Sequence, residues 1–281
     1  MSSTEARKVK LEFKTLVGDL AHHNIHALNQ LEPELKERVY SLFIPDRLFN
    51  TFNIDRGTFR NNDGERVVEL IAPKRAGFAT IELKESPTDR DCVFFLELAD
   101  TPFFKLVITF LIVNDPRSPR FGIDLDDSGR RTKFGTARRN IAEEVRAMEA
   151  GLAPGQIRKG LGLLKDFLPR ALRCLSAMGQ DMLVAEPLTY HDAIIFERHG
   201  FKYIQGRRIM EKIDRSFQPG GELYSKLDGS SPFRQTGAGR TIRGRSWAIH
   251  DGVLGEPWKD IEMYRAMDRK ADVCTFPDSV Y

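Results

Sequence analysis

Gly155-Gln156-Ile157-Arg158-Lys159-Gly160-Leu161-Gly162 runs directly into Leu163-Leu164-Lys165-Asp166-Phe167-Leu168. Leu161, Leu164, Leu168, Leu172 and Leu175 recur at helical spacing, so the reading predicts a helix from near Lys159 toward Met178. Pro169 falls inside it and would cost about 3 kcal/mol unrelieved, so a kink or break is expected there. The start of such a helix offers N–H groups without intrahelical acceptors and a partial positive charge. Glycines let a ligand approach the backbone, and Arg158 and Lys159 add cationic donors. This chemistry suits a phosphate. The same letters also fit a glycine-rich helix start that holds nothing.

Spacing sorts the phosphate loops. Gly155 and Gly160 are spaced as in a Walker A loop, but Leu161-Gly162 stands where Lys-Ser/Thr is needed. A dinucleotide fingerprint needs a third glycine at Lys165. A third pattern remains, a basic residue or Gln, two others, then Gly-x-Gly/Ala opening a helix, and Gly160-Leu161-Gly162 fits its glycines. Ile157 occupies its first position, and Gln156 lies one residue too early.

Outward from the loop, Met182 to Ala185 reads as a short buried strand and His191 to His199 as a short helix stopped by Gly200. Lys202–Ile204 and Arg208–Ile213 read as a hairpin around Gln205-Gly206. Upstream, Ile141, Val145 and Met148 mark a helix over residues 138–150. Val67–Ile71, Phe78–Leu83, Cys92–Leu98 and Leu106–Val113 read as strands, with Phe121–Leu125 as a further short one. Leu16 to Leu31, and a segment opened by Pro33, read as helices. Helices, then antiparallel strands, then helix, strand, helix and strands give an α+β chain, not a regular βαβ alternation. The expected organisation is an N-terminal helical segment over 1–60, a central domain over 61–215 and a loop-rich C-terminal extension over 216–281. Trp247 and Trp258 should pack that extension onto the domain.

The third loop pattern is that of acyl-CoA N-acyltransferases of the GNAT type. A second element supports the resemblance. Asp192-Ala193-Ile194-Ile195-Phe196-Glu197-Arg198-His199-Gly200-Phe201 is similar to the family's segment reading roughly Ala-x-x-Leu-Tyr-Glu-Lys/Arg-x-Gly-Phe, through Glu197, Arg198, Gly200 and Phe201. Together the two elements cover residues 155–213. The resemblance implies a GNAT-like fold, a mixed central sheet flanked by helices, with the N-terminal helices and C-terminal extension added. It implies acetyl-CoA or another acyl-CoA as co-substrate, its pyrophosphate on Gln156, Ile157, Arg158, Lys159, Gly160, Leu161 and Gly162. It further implies direct attack on the thioester by an amine, from a small molecule or a peptide. Two departures stand out. Phe196 occupies the slot where the family often places a tyrosine general acid, and the 138–150 helix is inserted before the glycine loop.

An amine needs a base, and a leaving thiolate needs an acid. Glu186, directly after the Met182–Ala185 strand, is the candidate base, or else a surface carboxylate. Tyr190 and His191 are candidates for the missing acid, or else capping and packing residues. His22 and His26 are four apart but lack a recognisable acidic third ligand, and Asp124-Leu125-Asp126-Asp127-Ser128-Gly129 starts like a calcium loop but has Gly135 at position 12. No metal is expected.

The balance of 43 basic and 40 acidic residues is too even to argue for nucleic acid. Arg234, Arg240, Arg243 and Arg245 make the tail locally basic, so an interaction protein using that tail, or a GNAT-like CoA binder without transfer, are the alternative readings. Three scattered cysteines fit a reducing, cytosolic setting. The N-terminus reads as no signal peptide. The apolar run over 103–113 is broken by Lys105 and falls short of the roughly 20 residues of a membrane span, so no membrane association is expected. A homodimer is compatible with the sequence.

Overall fold

Strands form where β-branched and aromatic residues alternate, and helices where apolar residues recur every three or four positions. The computed structural model describes residues 11–18, 24–103, 105–126, 128–132, 138–277 and 279–281. In chain order the elements are α1 (residues 11–17), α2 (Ile25–Leu28), α3 (Pro33–Ser41), α4 (Asp46–Thr51), β1 (Val68–Ile71), β2 (Phe78–Leu83), β3 (Phe94–Asp100) and β4 (Leu106–Val113). Then follow α5 (Ile141–Glu149), α6 (Leu164–Ala177), β5 (Met182–Ala185), α7 (Tyr190–Arg198), β6 (Lys202–Gln205), α8 (Arg207–Phe217), α9 (Glu222–Ser225), α10 (Ile242–His250) and β7 (Glu262–Ala266). The class is α+β, with a mixed seven-stranded open sheet in the order β1-β2-β3-β4-β5-β7-β6.

The chain divides into two compact units. The first holds the chain up to Pro116, Gly160–Ala185 and Tyr264–Arg269; the second holds Arg117–Lys159, Glu186–Met263 and Lys270–Tyr281. The chain passes between them after Pro116, Lys159, Ala185, Met263 and Arg269.

In the first unit β1 to β4 are antiparallel neighbours, and β4 and β5 run parallel. Phe94, Leu96 and Leu98 point to one face and are fully buried, while Phe95 and Glu97 point to the other and are half-buried. α6 covers the buried face, with Phe167 packed 5.9 Å from Phe94 between ring centres. Arg170 of α6 is buried, donates to the Leu42 carbonyl at 2.6 Å and pairs with Asp46 at 2.8 Å. α6 begins at Leu164, five residues later than the leucine spacing predicts, and passes through Pro169 unbroken. The proline lacks an N–H for the Lys165 carbonyl, but Lys165 is exposed and water can take that acceptor.

In the second unit Phe121, Ile123, Ala147, Leu152, Phe233 and Trp247 form a core, with Trp247 stacked on Phe233 and donating to the Leu152 carbonyl at 2.8 Å. Two expectations are corrected here. Arg208–Ile213 is not a strand but part of helix α8, because Met210, Ile213 and Phe217 share one face at helical spacing and are buried. Phe121–Leu125 is a loop, whose Phe121 and Ile123 are anchored by burial and not by a strand ladder. Both tryptophans pack as expected, Trp258 donating to the Pro187 carbonyl at 2.9 Å.

Candidate functional site

β4 and β5 pair over three positions only: Leu106 with Leu183, Val107 with Val184 and Ile108 with Ala185. β5 stops at Ala185, and Glu186-Pro187 follows; a proline has no N–H to extend a ladder. β4 continues through Thr109 to Val113 beyond the residues paired with β5, and Phe110 to Val113 remain only half-buried. Thr109, the first residue beyond the paired stretch, is also the extra residue of a β-bulge, since Glu97 pairs with Phe110 and Leu98 with Ile108. Its hydroxyl donates to the Glu97 carboxylate at 2.6 Å.

The glycine loop meets this strand at its far end. A Cβ on Gly160 would lie 3.0 Å from the Val113 carbonyl oxygen, so the loop backbone packs on the end of β4 at a distance that crowds any side chain. Gly162 takes a left-handed φ of 66° and hands the chain to Leu163, the N-cap of α6, which has no side-chain cap bond. The first turn bonds back to the Leu163 carbonyl from Asp166 and Phe167, leaving the N–H groups of Leu164 and Lys165 ahead of the first intrahelical bond. Gly160, Leu161 and Gly162 therefore lie with β4, β5 and the N-terminus of α6 in the first unit.

The preceding residues belong to the second unit and are held there. Gln156 caps a turn, its Oε1 accepting from the Ala153 N–H at 2.8 Å. Ile157 packs on the Phe121–Trp247 core, and its carbonyl accepts from Phe121 at 2.8 Å. Arg158 donates to the Ser118 carbonyl at 2.5 Å, and the Lys159 N–H to Ser118 Oγ at 3.2 Å; the Lys159 side chain is exposed. The seven residues that the sequence groups as one loop thus divide into a glycine half on β4 and a half anchored in the second unit.

The three acid–base candidates are not equivalent. Glu186 is exposed, the residue after Ala185. Tyr190 is 1% exposed, its ring edge-on to Trp258 and its hydroxyl 3.3 Å from Arg245 Nη1. Burial pushes the Tyr190 phenol up to about 12, with Arg245 pulling it back in part. His191 is 3% exposed; Nδ1 lies 2.6 Å from Thr189 Oγ1 and 3.1 Å from Ser246 Oγ, and Nε2 lies 3.3 Å from Asp192. Burial lowers its pKa, and Asp192 opposes that shift, so the ring is neutral near pH 7.

The resemblance residues of α7 have structural tasks. Glu197 accepts from Thr275 N at 2.9 Å, Thr275 Oγ1 at 2.7 Å and Tyr203 Oη at 2.5 Å. Arg198 donates to Ser279 Oγ at 2.9 Å, and Gly200, at φ 82°, accepts from Ala271. Phe196 lies 4.9 Å from Phe201 between ring centres. In the tail, Arg245 is buried and pairs with Asp214 at 2.7 Å, Arg234 pairs with Asp251 at 2.8 Å, Arg243 donates to the Gly151 carbonyl, and Arg240 is exposed. His22, His23, Asp127 and Gly135 lie outside the described residues. Asp126 folds its turn by accepting from Ser128 and Arg130.

No family model, curated protein or solved structure matches the chain. Among the described residues no group of three His, Cys, Asp or Glu side chains is placed to hold a metal ion, and no helix is long and apolar enough to cross a membrane.

Glu97 and Thr109 escape the motif reading. Their signal was one charged residue within the apolar run Phe94-Phe95-Leu96-Glu97-Leu98 and one hydroxyl within Leu106–Val113. Neither gains meaning until the strand register joins them.

Proposed function

We propose that this chain is an acyl-CoA-dependent N-acyltransferase with a GNAT-like fold. The observation that carries the reading is the packing of Gly160 on the Val113 carbonyl, at the end of the β4 stretch that runs on beyond its pairing with β5. Phosphate binds well where backbone N–H groups and a helix N-terminus converge without side chains in the way. Gly160 and Gly162 bring no side chains to the loop that leads into the first turn of α6. An extended amide-bearing arm gains hydrogen bonds by lying along a strand edge, as an added strand would. Coenzyme A combines a pyrophosphate with such an arm, the diamide pantetheine.

In this reading the pyrophosphate lies at Gly160–Gly162, the arm runs back along Val113 toward Thr109, and the thioester lies where β4 and β5 part. From Val113 to Thr109 is four residues, or about 13 Å of strand. Lys159, whose side chain is exposed, precedes the glycines in the sequence. Glu186, the base candidate of the sequence, is an exposed carboxylate in the second unit.

Titration calorimetry with acetyl-CoA tests the donor side, followed by thiol release with a panel of amines. Micromolar binding that Gly160→Asp abolishes, with amine-dependent thiol release, is the expected result. A second reading, acyl-CoA binding without transfer, draws on Phe196 and on the burial of Tyr190. Binding without thiol release for any amine would favour it.

A further inference from the structure

We infer that Glu97 is the group that receives the acceptor, and that the acceptor is a cationic primary amine on an apolar body. The inference rests on the acyl-transfer reading, which places the thioester where β4 and β5 part. Glu97 is the carboxylate at that point. Ile108 is the last β4 residue paired with β5, Thr109 is the bulged residue after it, and its hydroxyl holds the Glu97 carboxylate at 2.6 Å.

Three features of Glu97 suit an ammonium group. It is half-buried, so its charge is worth more than on an open surface. Among the described residues no cation is paired with it, and its hydrogen bonds are with Thr109. The Thr109 hydroxyl donates to one carboxylate oxygen, which leaves lone pairs for a second donor. A half-buried carboxylate without a counter-ion is costly to keep, and a cationic ligand offsets that cost.

The surroundings set the body of the amine. Glu97 shares its sheet face with Phe95 two residues before it and with its cross-strand partner Phe110; Ile112 stands opposite Phe95. Phe95 and Phe110 meet edge to face, with ring centres 5.8 Å apart. On β2, Thr80 stands opposite Glu97. Glu82 of β2 stands opposite Phe95 on the same face, so two aromatic rings, one isoleucine and two carboxylates accept an alkyl or arylalkyl ammonium. They discriminate against an amino acid acceptor, whose own carboxylate would lie near Glu97 or against the rings.

The ammonium gives one proton to Glu97 and becomes a neutral amine. Its nitrogen attacks the thioester carbonyl, the carbon–nitrogen bond forms and the carbon–sulfur bond breaks. The nitrogen's second surplus proton passes to the departing thiolate. The products are the amide, coenzyme A as free thiol, and Glu97 protonated, which then releases its proton to water.

The test compares two acceptors, phenethylamine, cationic at neutral pH, and aniline, which is uncharged there, in wild type, Glu97→Gln, Thr109→Val and Glu186→Gln. Acetyl-CoA affinity is measured alongside. Glu97→Gln is expected to lower kcat/KM for phenethylamine by about 100-fold or more, the low end of general-base contributions, and to affect aniline by less than about 10-fold. Thr109→Val should give a smaller loss of the same kind, and all variants should bind acetyl-CoA as wild type does. A merely structural Glu97 would depress both acceptors together, which overturns the inference. So would a selective loss in Glu186→Gln with Glu97→Gln unaffected, or a wild-type preference for glutamate as acceptor over phenethylamine. If the wild type binds no acetyl-CoA, it is the acyl-transfer reading that fails.

Discussion

Gly160 lies against the main-chain carbonyl of Val113, with room for a hydrogen but little for a methyl group: a Cβ would stand 3.0 Å from that oxygen. Gly160→Ala therefore shifts the loop or the end of β4 by a few tenths of an ångström. It should weaken acetyl-CoA binding by about tenfold, equivalent to about 1.4 kcal/mol, with a drop in melting temperature of only a few degrees. Gly162→Ala acts differently, because φ of 66° strains a residue with a side chain by about 1–2 kcal/mol. It should show a clear loss of stability in urea as well as weaker binding.

Arg245 is the most deeply committed cation of the second unit. Its guanidinium pairs with Asp214 at 2.7 Å, donates to the Gly239 carbonyl at 2.7 Å and lies 3.4 Å from the centre of the Phe276 ring. Arg245→Met keeps the length but strands Asp214 and that carbonyl. It should cost about 3 kcal/mol in chemical denaturation, near the lower end for breaking a buried pair because Asp214 retains some contact with water. A loss below about 1 kcal/mol would mean that the pair holds little of the unit together.

The pH dependence of stability has a defined sign at His191. Burial lowers its pKa below the ordinary 6.5, against the pull of Asp192. Between the folded and unfolded values the unfolded chain binds the extra proton, so stability rises with pH in that window and falls as pH drops below about 6.5. The lowered carboxylates of Glu144 and Asp251, each hydrogen-bonded to Arg139, lose their contribution only at more acidic pH. The melting temperature should therefore fall between pH 7 and pH 5.5, and His191→Asn should flatten that slope. An equal slope in the variant would assign the loss to other groups.

Glu197 gathers Tyr203 and both donors of Thr275, and so ties the C-terminal residues to α7. Glu197→Ala leaves buried donors unpaired, which costs about 1–3 kcal/mol. It should also open the chain to trypsin after Lys270. Proteolysis at the wild-type rate would place the tail's anchorage elsewhere, at Arg198 and Ser279.

Most of the sheet was legible in the sequence because β1 to β5 are short apolar runs with clear turn signals at their ends. β2, β4 and β5 fall on the predicted residues. α7 was legible through Gly200, whose left-handed φ ends it. The hairpin after Gly206 was not. Arg208–Ile213 is too short to separate strand from helix by period, and only Phe217, one further turn along, makes the buried stripe of α8 evident. β7 lies some fifty residues beyond the hairpin predicted to end the sheet, and no local pattern links it to β6. The site was legible only in part. The glycines announce themselves by type, whereas Glu97 and Thr109 become neighbours through a bulge, a property of register and not of spacing. Tyr190 and His191 have the right chemistry in the sequence, but the fold turns both into a buried interior.

The central claim, that the glycine end of the loop on β4 holds an acyl-CoA, is tested most directly by titrating acetyl-CoA into the full chain by calorimetry, with Gly160→Asp as the paired variant. One site per chain with micromolar affinity is expected, lost by at least 100-fold in a variant that still melts cooperatively. No heat and no rise in melting temperature with acetyl-CoA at millimolar concentration, or binding that Gly160→Asp leaves unchanged, would contradict it.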